Sequence, residues 1–506
     1  MQMENFAPIM FVGLVLTMLI GFPVAFSLSF LGLACGLFAI SMDWFPVSFM
    51  SNLPLNIFGI LSNDLLLAIP FFTFMGAILE KCGLAEDMLD SMGQLFGTVR
   101  GGLGYSVIIV GFILGAITGT VAGQVIAMAL ISLPVMIRYG YNMRYATGVL
   151  AASGTITQLV PPSLVLVVMA DQLGRSVGDM YKGAWGPSML QVGIFALYTF
   201  GLSIIKPEHV PGIPKEARTA DGFHLWMKCL RGIIPSAFLI FAVLGSMGGL
   251  PGIDTAIATP TEAGAMGCVG ALILAAIHNR LDKDLIWQAM NSTMRLTAMV
   301  VFILIGSRVF SMVFQGVDGA KWVEHLLTGL PGGQVGFLVV VNIFIFFLAF
   351  FLDFFEIAFI ILPMLGPVAE KMGIDMVWFG VLLCVNMQTS FMHPPFGFAL
   401  FYLRGIADTL FKEGRIEKPV KSNDIYMGAI PWVIMQLILV VIVIFVPETV
   451  TMFLDKEEKV DLDKVVIEMP TEQEVPEAEL KLDGAKPSAG ESAAEEQKRM
   501  EDLFKK

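Results

Sequence analysis

Asp353 and Glu356 stand one helical turn apart inside the apolar run FFLDFFE. A carboxylate at membrane depth costs about 3 kcal/mol or more on insertion scales and rarely persists without a task. Asp353 reads as a cation ligand or as a carboxylate capping a nearby helix N-terminus. Glu356 reads as a second ligand or a proton carrier. His393, directly before Pro394, is either a substrate contact or a hydrogen-bonded structural residue beside a proline kink.

These residues belong to segments that interrupt helices. The first half contains GAITGTVAGQ (115–124) and SGTITQLVPPS (153–163); the second contains FFLDFFE (350–356) and NMQTSFMHPPFG (386–397). The bilayer core offers no water to satisfy backbone groups, so such breaks survive only in protein interior or beside a water-filled cavity. Pro161 and Pro394 each remove a helical hydrogen bond and free carbonyls on the residues before them. Freed carbonyls with nearby Thr and Ser hydroxyls are hard oxygen ligands suited to sodium, and half-helix N-termini suit a carboxylate. Close helix packing at small residues is the competing account of any one segment. Four segments in register favour a site.

The register comes from an internal repeat. Pro134, Gly140, Pro161 and Pro162 recur 233 positions later as Pro367, Gly373, Pro394 and Pro395, and Thr120 matches Asp353 at the same spacing. GFPVAFSLSFLGLACGL near the start resembles ATPTEAGAMGCVGALIL after the middle, at a slightly different offset. If each half crosses the membrane an odd number of times, the two copies are inverted, as in many secondary transporters.

The elements that position these residues must be membrane helices. Of the 506 residues 56% are hydrophobic and 15% charged, against roughly 25% charged in a soluble domain. Runs such as 11–38, 107–133, 149–169, 233–249 and 429–446 are long enough to span at about 20 residues each, and roughly eleven crossings are expected. No Lys or Arg precedes the first run and Glu4 does, so it is expected to be retained rather than cleaved as a signal peptide. The five cysteines are scattered without metal-ligand spacing and read as small packing residues. Lys206, Lys215, Arg218, Lys228 and Arg231 mark a central linker that should be cytoplasmic, with the N-terminus outside. Arg144 reads as a topology determinant of the same kind. Lys412–Lys421 is expected inside, so a cytoplasmic tail would require two crossings or none after it. From Asp455 onward acidic residues outnumber basic ones 16 to 9, the composition expected of a disordered, solvated tail. The expected organisation is a first repeat over 1–205 with a hairpin near 110–135, a linker over 206–232, a second repeat over 233–450 with a hairpin near 340–370, and the tail over 451–506. No P-loop, zinc motif or nucleophile elbow is present, which argues against a P-loop pump and the commoner hydrolases.

The runs GYNMRYATGVLAASGTITQLVPPS, ATPTEAGAMGCVGAL and GIDMVWFGVLLCVNMQTSFMHPPFGFALFYLRG resemble the large, DctM-like membrane subunit of tripartite ATP-independent periplasmic (TRAP) transporters, over residues 7 to 450 or so. The resemblance implies an all-α polytopic fold of two inverted repeats with re-entrant hairpins and broken helices, working as an elevator. It implies sodium-coupled import of small organic acids across the bacterial inner membrane. The partners implied are a small membrane subunit (DctQ-like) and a periplasmic substrate-binding protein (DctP-like), with no nucleic acid, no enzymatic activity and no cofactor beyond sodium as coupling ion. Carried onto matching positions, one sodium site involves Thr118, Gly119, Thr120, Gly154, Thr155 and Pro161, and the other Asp353, Gln388, Thr389 and Pro394. Gln124, Thr157, Ser163, Glu356, Ser390 and His393 are the substrate-side candidates. The chain departs from the family in its TGTVAG tip, often serine-rich elsewhere, in Glu356, often a small residue, and in its acidic tail. Two other readings compete: a stand-alone sodium-driven carboxylate carrier, and an intramembrane enzyme using Asp353 and Glu356 as an acid pair.

Overall fold

A backbone in a water-free medium must pair its own amides, and the described residues accordingly form helices and no strand. The computed structural model describes residues 6–118, 120–214, 222–253, 255–350, 352–395 and 397–454. Gly119, the linker residues Lys215 and Arg218 and the acidic tail from Asp455 lie outside them.

The first half runs α1 (Phe6–Leu19), α2 (Val24–Ser41), α3 (Leu53–Leu61), α4 (Asp64–Lys81), α5 (Leu84–Phe96), α6 (Gly102–Thr118), α7 (Val121–Arg138), α8 (Met143–Thr155), α9 (Leu164–Leu173) and α10 (Val177–Ile205). The second runs α11 (Gly222–Ser246), α12 (Pro260–Ile277), α13 (Lys283–Gly316), α14 (Gly319–Thr328), α15 (Gly333–Leu348), α16 (Phe354–Glu356), α17 (Leu362–Lys371), α18 (Met376–Met387), α19 (Phe398–Lys412), α20 (Ser422–Phe445) and α21 (Glu448–Thr451). Short polar residues start many of these helices. Asn142, Ser163, Ser176, Asp282 and Asp375 each accept an amide hydrogen from the first turn that follows, replacing a partner the helix cannot supply.

The helix ends sort by charge. Lys81, Arg100, Arg138, Arg144, Lys206, Arg280, Lys412, Arg415 and Lys421 gather at one end of the bundle, joined by contacts between chain-distant elements. Lys81 Nζ donates to Gln288 Oε1 at 3.1 Å, Arg144 pairs with Asp424 at 3.3 Å, and Asn142 N donates to His209 O at 3.0 Å. This basic end carries the linker residues that the positive-inside rule would put on the cytoplasmic side. At the other end Gln334 Nε2 donates to Met372 O at 2.8 Å and Arg175 pairs with Glu370 at 3.6 Å.

Both ends of the α6–α7 pair lie at the basic end, where Leu103 N donates to the Tyr141 hydroxyl at 3.3 Å. The pair therefore enters and returns. The α15–α17 arm does the same from the opposite end, closed by Gln334 and Met372. Among the described residues seven helices are long and apolar enough to span alone, or up to nine if each of two bent pairs counts as one span, by length and composition only. The run 107–133 is not a crossing, because its chain reverses after Thr118, and 149–169 is two short helices either side of a joint. Apolar length reports burial in a dry medium and does not distinguish spanning from turning back. Among the described residues one long helix, α20, follows Lys421 before the short α21, so Phe445 lies at the end away from the basic loops.

The outer surface is apolar: Phe22, Phe30 and Phe238 are 63%, 67% and 75% exposed, as lipid contact allows. Inside, close approach matters more. A Cβ on Gly148 of α8 would strike Gly428 O and Trp432 Nε1 of α20, and one on Gly428 would strike Arg144 O. Gly193, on the exposed face of α10, has nothing within 4 Å. Gly428→Leu is expected to destabilise the protein by about 1–3 kcal/mol through overpacking, and Gly193→Leu to leave it unchanged; thermal unfolding of the detergent-purified variants measures both.

Candidate functional site

The polyproline breaks place two joints in the interior. After Thr155, α8 tightens into a 3-10 turn over Ile156–Gln158, passes the cis Pro161–Pro162 bond and restarts at α9, with Ser163 as N-cap. Every residue from Tyr145 to Ala170 is buried. Ser163 Oγ donates to Gln158 O at 2.7 Å and accepts from Val165 N at 3.1 Å, so one hydroxyl bridges the two sides of the break.

The α6–α7 hairpin lies against this joint because three glycines leave room. A Cβ on Gly115 would sit 3.2 Å from Thr157 Cα, one on Gly111 2.8 Å from Ser153 Cβ, and one on Gly154 would strike Val125. Gln124, fully buried, stitches the contact: its amide donates to Gly111 O at 2.6 Å and Ser153 O at 2.8 Å. Thr157 Oγ1 lies 2.5 Å from Gln124 Oε1 and 3.1 Å from Gly115 O. Thr120 is the N-cap of α7 at the hairpin tip and shares a small cavity with Ile117, Pro162 and Leu164. The Thr118 side chain and Gly119 lie outside the described residues.

The second joint repeats the plan. α18 gives way to a 3-10 turn over Gln388–Met392, then the cis Pro394–Pro395 bond and α19. Thr389 Oγ1 donates to Asn386 O at 2.7 Å and Ser390 Oγ to Met387 O at 2.6 Å. Asp353, the N-cap of α16, matches the place of Thr120. Its Oδ1 accepts from Glu356 N at 3.0 Å, and Glu356 Oε2 accepts from Asp353 N at 2.9 Å, a reciprocal capping box. Among the described residues no hydrogen bond joins Asp353 to Gln388, Thr389 or Pro394. One π-helical turn follows over Ile357–Ile361, and Ser307 Oγ of α13 donates to Phe359 O beside it.

His393 departs from its reading as a hydrogen-bonded structural residue. Neither ring nitrogen has a partner; the ring stacks on Phe350 and meets the edge of Phe346, each with centroids 4.2 Å away. Several buried amides complete the two joints, and of these Asn342, Gln191 and Gln436 lie outside every break: Asn386 Nδ2 donates to Asn342 O at 2.8 Å, Gln191 Nε2 to Gln388 Oε1 at 2.6 Å, and Gln436 Nε2 to Thr155 Oγ1 at 3.0 Å. Each of these three pairs joins elements distant in the chain. The described residues hold no cluster of three His, Cys, Asp or Glu side chains that could bind a metal, so cation ligation here would fall to carbonyls, hydroxyls and single carboxylates.

Residues 11–449 match the sequence profile of the tripartite ATP-independent periplasmic transporter, DctM component. The chain belongs to this family. Similar DctM-type relatives include the C4-dicarboxylate TRAP transporter large permease protein DctM of Rhodobacter capsulatus, 29% identical, covering 87% of this chain and 97% of the relative. The 2,3-diketo-L-gulonate TRAP transporter large permease protein YiaN of Escherichia coli is 26% identical, covering 85% and 95%. In fold the chain resembles the Alcanivorax borkumensis YdaH transporter, whose crystal structure has an unusual topology, with a TM-score of 0.53 at 15% identity over 78% of this chain and 87% of that one. As a DctM component the protein is a permease of the bacterial inner membrane and not an enzyme, which removes the acid-pair reading of Asp353 and Glu356.

The capping box of the DctM chain makes a separable prediction. Asp353→Ala is expected to lose about 1 kcal/mol of stability, whereas Asp353→Asn, an equally good cap, keeps it. Thermal unfolding of the two variants in detergent distinguishes them.

Proposed function

We propose that this large permease subunit couples sodium influx to import of a small organic acid delivered by a periplasmic binding protein. The observation that carries the proposal is the pair of helix joints, the first buried throughout and the second buried over Gln388–Ser390, each with a hairpin whose returning arm begins at a polar cap, Thr120 or Asp353. Carbonyls freed at such breaks are hard oxygen ligands, and half-helix N-termini favour a carboxylate.

In this reading one sodium ion sits among Thr118, Gly119, Thr120, Gly154, Thr155 and the carbonyls before Pro161. A second sits among Asp353, Gln388, Thr389 and the carbonyls before Pro394. Gln124 and Thr157 brace the first joint, while Ser163, Ser390, Glu356 and His393 border the substrate. The halves 1–205 and 233–450 act as inverted repeats about the linker 206–232, and the two hairpins with the two broken helices move as one elevator body. The named substrates of the two relatives, a C4-dicarboxylate and 2,3-diketo-L-gulonate, are both carboxylates, which supports that chemical class here. A small DctQ-like membrane subunit and a DctP-like binding protein are the partners, as the word tripartite in the family's description supports.

The test is uptake of a panel of labelled organic acids into proteoliposomes holding this chain and its small subunit, with and without the binding protein. Uptake is expected to require both an inward sodium gradient and the binding protein, and to fall to background in Asp353→Asn, which keeps the cap and removes the charge. Uptake by this chain alone would identify a stand-alone carrier, and uptake indifferent to the gradient would sink sodium coupling.

A further inference from the structure

Gln191 is the fifteenth residue of α10 and Gln436 the fifteenth of α20. The helices share more than this position. Asp179, Tyr181, Gly183, Ala184 and Gln191 recur 245 positions later as Asp424, Tyr426, Gly428, Ala429 and Gln436. Gly183 packs against Val377 and Val381 of α18, and Gly428 against α8. The last long helix of each half therefore lies on the broken helix of the other half.

The glutamines complete the exchange. Gln436, from the second half, donates to Thr155 at the first joint; Gln191, from the first half, donates to Gln388 at the second. Thr155 and Gln388 are themselves counterparts, 233 positions apart. The Thr155 hydroxyl donates to Ala152 O at 2.9 Å, so it accepts from Gln436 and fixes which way that amide faces. Both glutamines are buried, and the amide oxygen of each has no hydrogen-bond partner. Buried polar atoms without partners are rare and point to a bound water or ion. A single turn of α10 also spans both joints, because Ser188 Oγ, one turn before Gln191, lies 3.3 Å from Leu159 O.

Interhelical glue alone explains one amide in a membrane helix. It does not explain two that occupy matching positions, reach matching partners in opposite halves and leave the same atom unpaired. We propose that Gln191 and Gln436 form a reciprocal clasp that couples the two joints: each orients the joint of the opposite half, so that a cation ordering one joint favours the arrangement that binds a cation at the other. They are positioning residues, and the inference rests on the sodium reading above.

The experiment is equilibrium binding of radiolabelled sodium to the purified full chain in lipid nanodiscs, paired with thermal unfolding in sodium chloride and in choline chloride. Gln191→Met and Gln436→Met keep side-chain length and remove the amide; Gln436→Glu restores an oxygen at that place. Each Met variant is expected to abolish cooperativity between sodium ions and to raise the half-saturating concentration about tenfold, as for one hydrogen bond lost at a buried site. Unfolding in choline should not move, and Gln436→Glu should recover part of the cooperativity. Cooperative binding unchanged in both Met variants, or stability lost equally with and without sodium, overturns the clasp while leaving the sodium reading intact. Absence of sodium binding by the unmodified protein overturns the sodium reading, and the coupling falls with it.

Discussion

Water does not reach the bilayer core, so a helix that breaks there leaves carbonyls with no ready partner. Both breaks in this protein occur at a Pro–Pro pair; the first is buried throughout, and the second is buried over Gln388–Ser390 while Pro395 is exposed. The hairpins, the glycines that let them approach, and the amides that cross between halves all follow from enclosing these two points. Gln124 shows the principle in one residue: it touches α6, α8 and the first joint at once, through donors and acceptor together.

Enclosure also explains the contrast between the two hairpin tips. The first begins its returning arm at a neutral cap, Thr120, and the second at a charged one, Asp353, answered by Glu356 in a closed pair of hydrogen bonds. Glu356 thus holds the Asp353 backbone amide that would otherwise face an apolar interior. A carboxylate at this depth has a structural occupation even before any ion is considered. The charge it leaves over is what an ion site can use.

Much of this was legible in the sequence because proline and glycine are local rules. The 233-residue spacing located both joints and matched Thr120 to Asp353, and both prove to be N-caps. The pattern Asp353-x-x-Glu356 was itself a readable capping box. The number of crossings was not legible, since a run that turns back and a run that spans are equally apolar. His393 could not be placed either, because its environment is made by Phe346 and Phe350 from a distant hairpin. Gln191, Gln436 and Asn342 escaped notice because a lone amide in a long apolar helix interrupts nothing. The recurrence of Asp-x-Tyr-x-Gly-Ala ahead of each glutamine was the available signal.

The swapped packing of α10 and α20 has an evolutionary consequence. α10 runs toward the basic end and α20 away from it, and each rests on the broken helix of the other half. Two copies of a half-length chain, inserted in opposite orientations, would present the same contacts to one another. The neutral tip at Thr120 and the charged tip at Asp353 are an asymmetry that one half-length sequence serving both orientations would not permit.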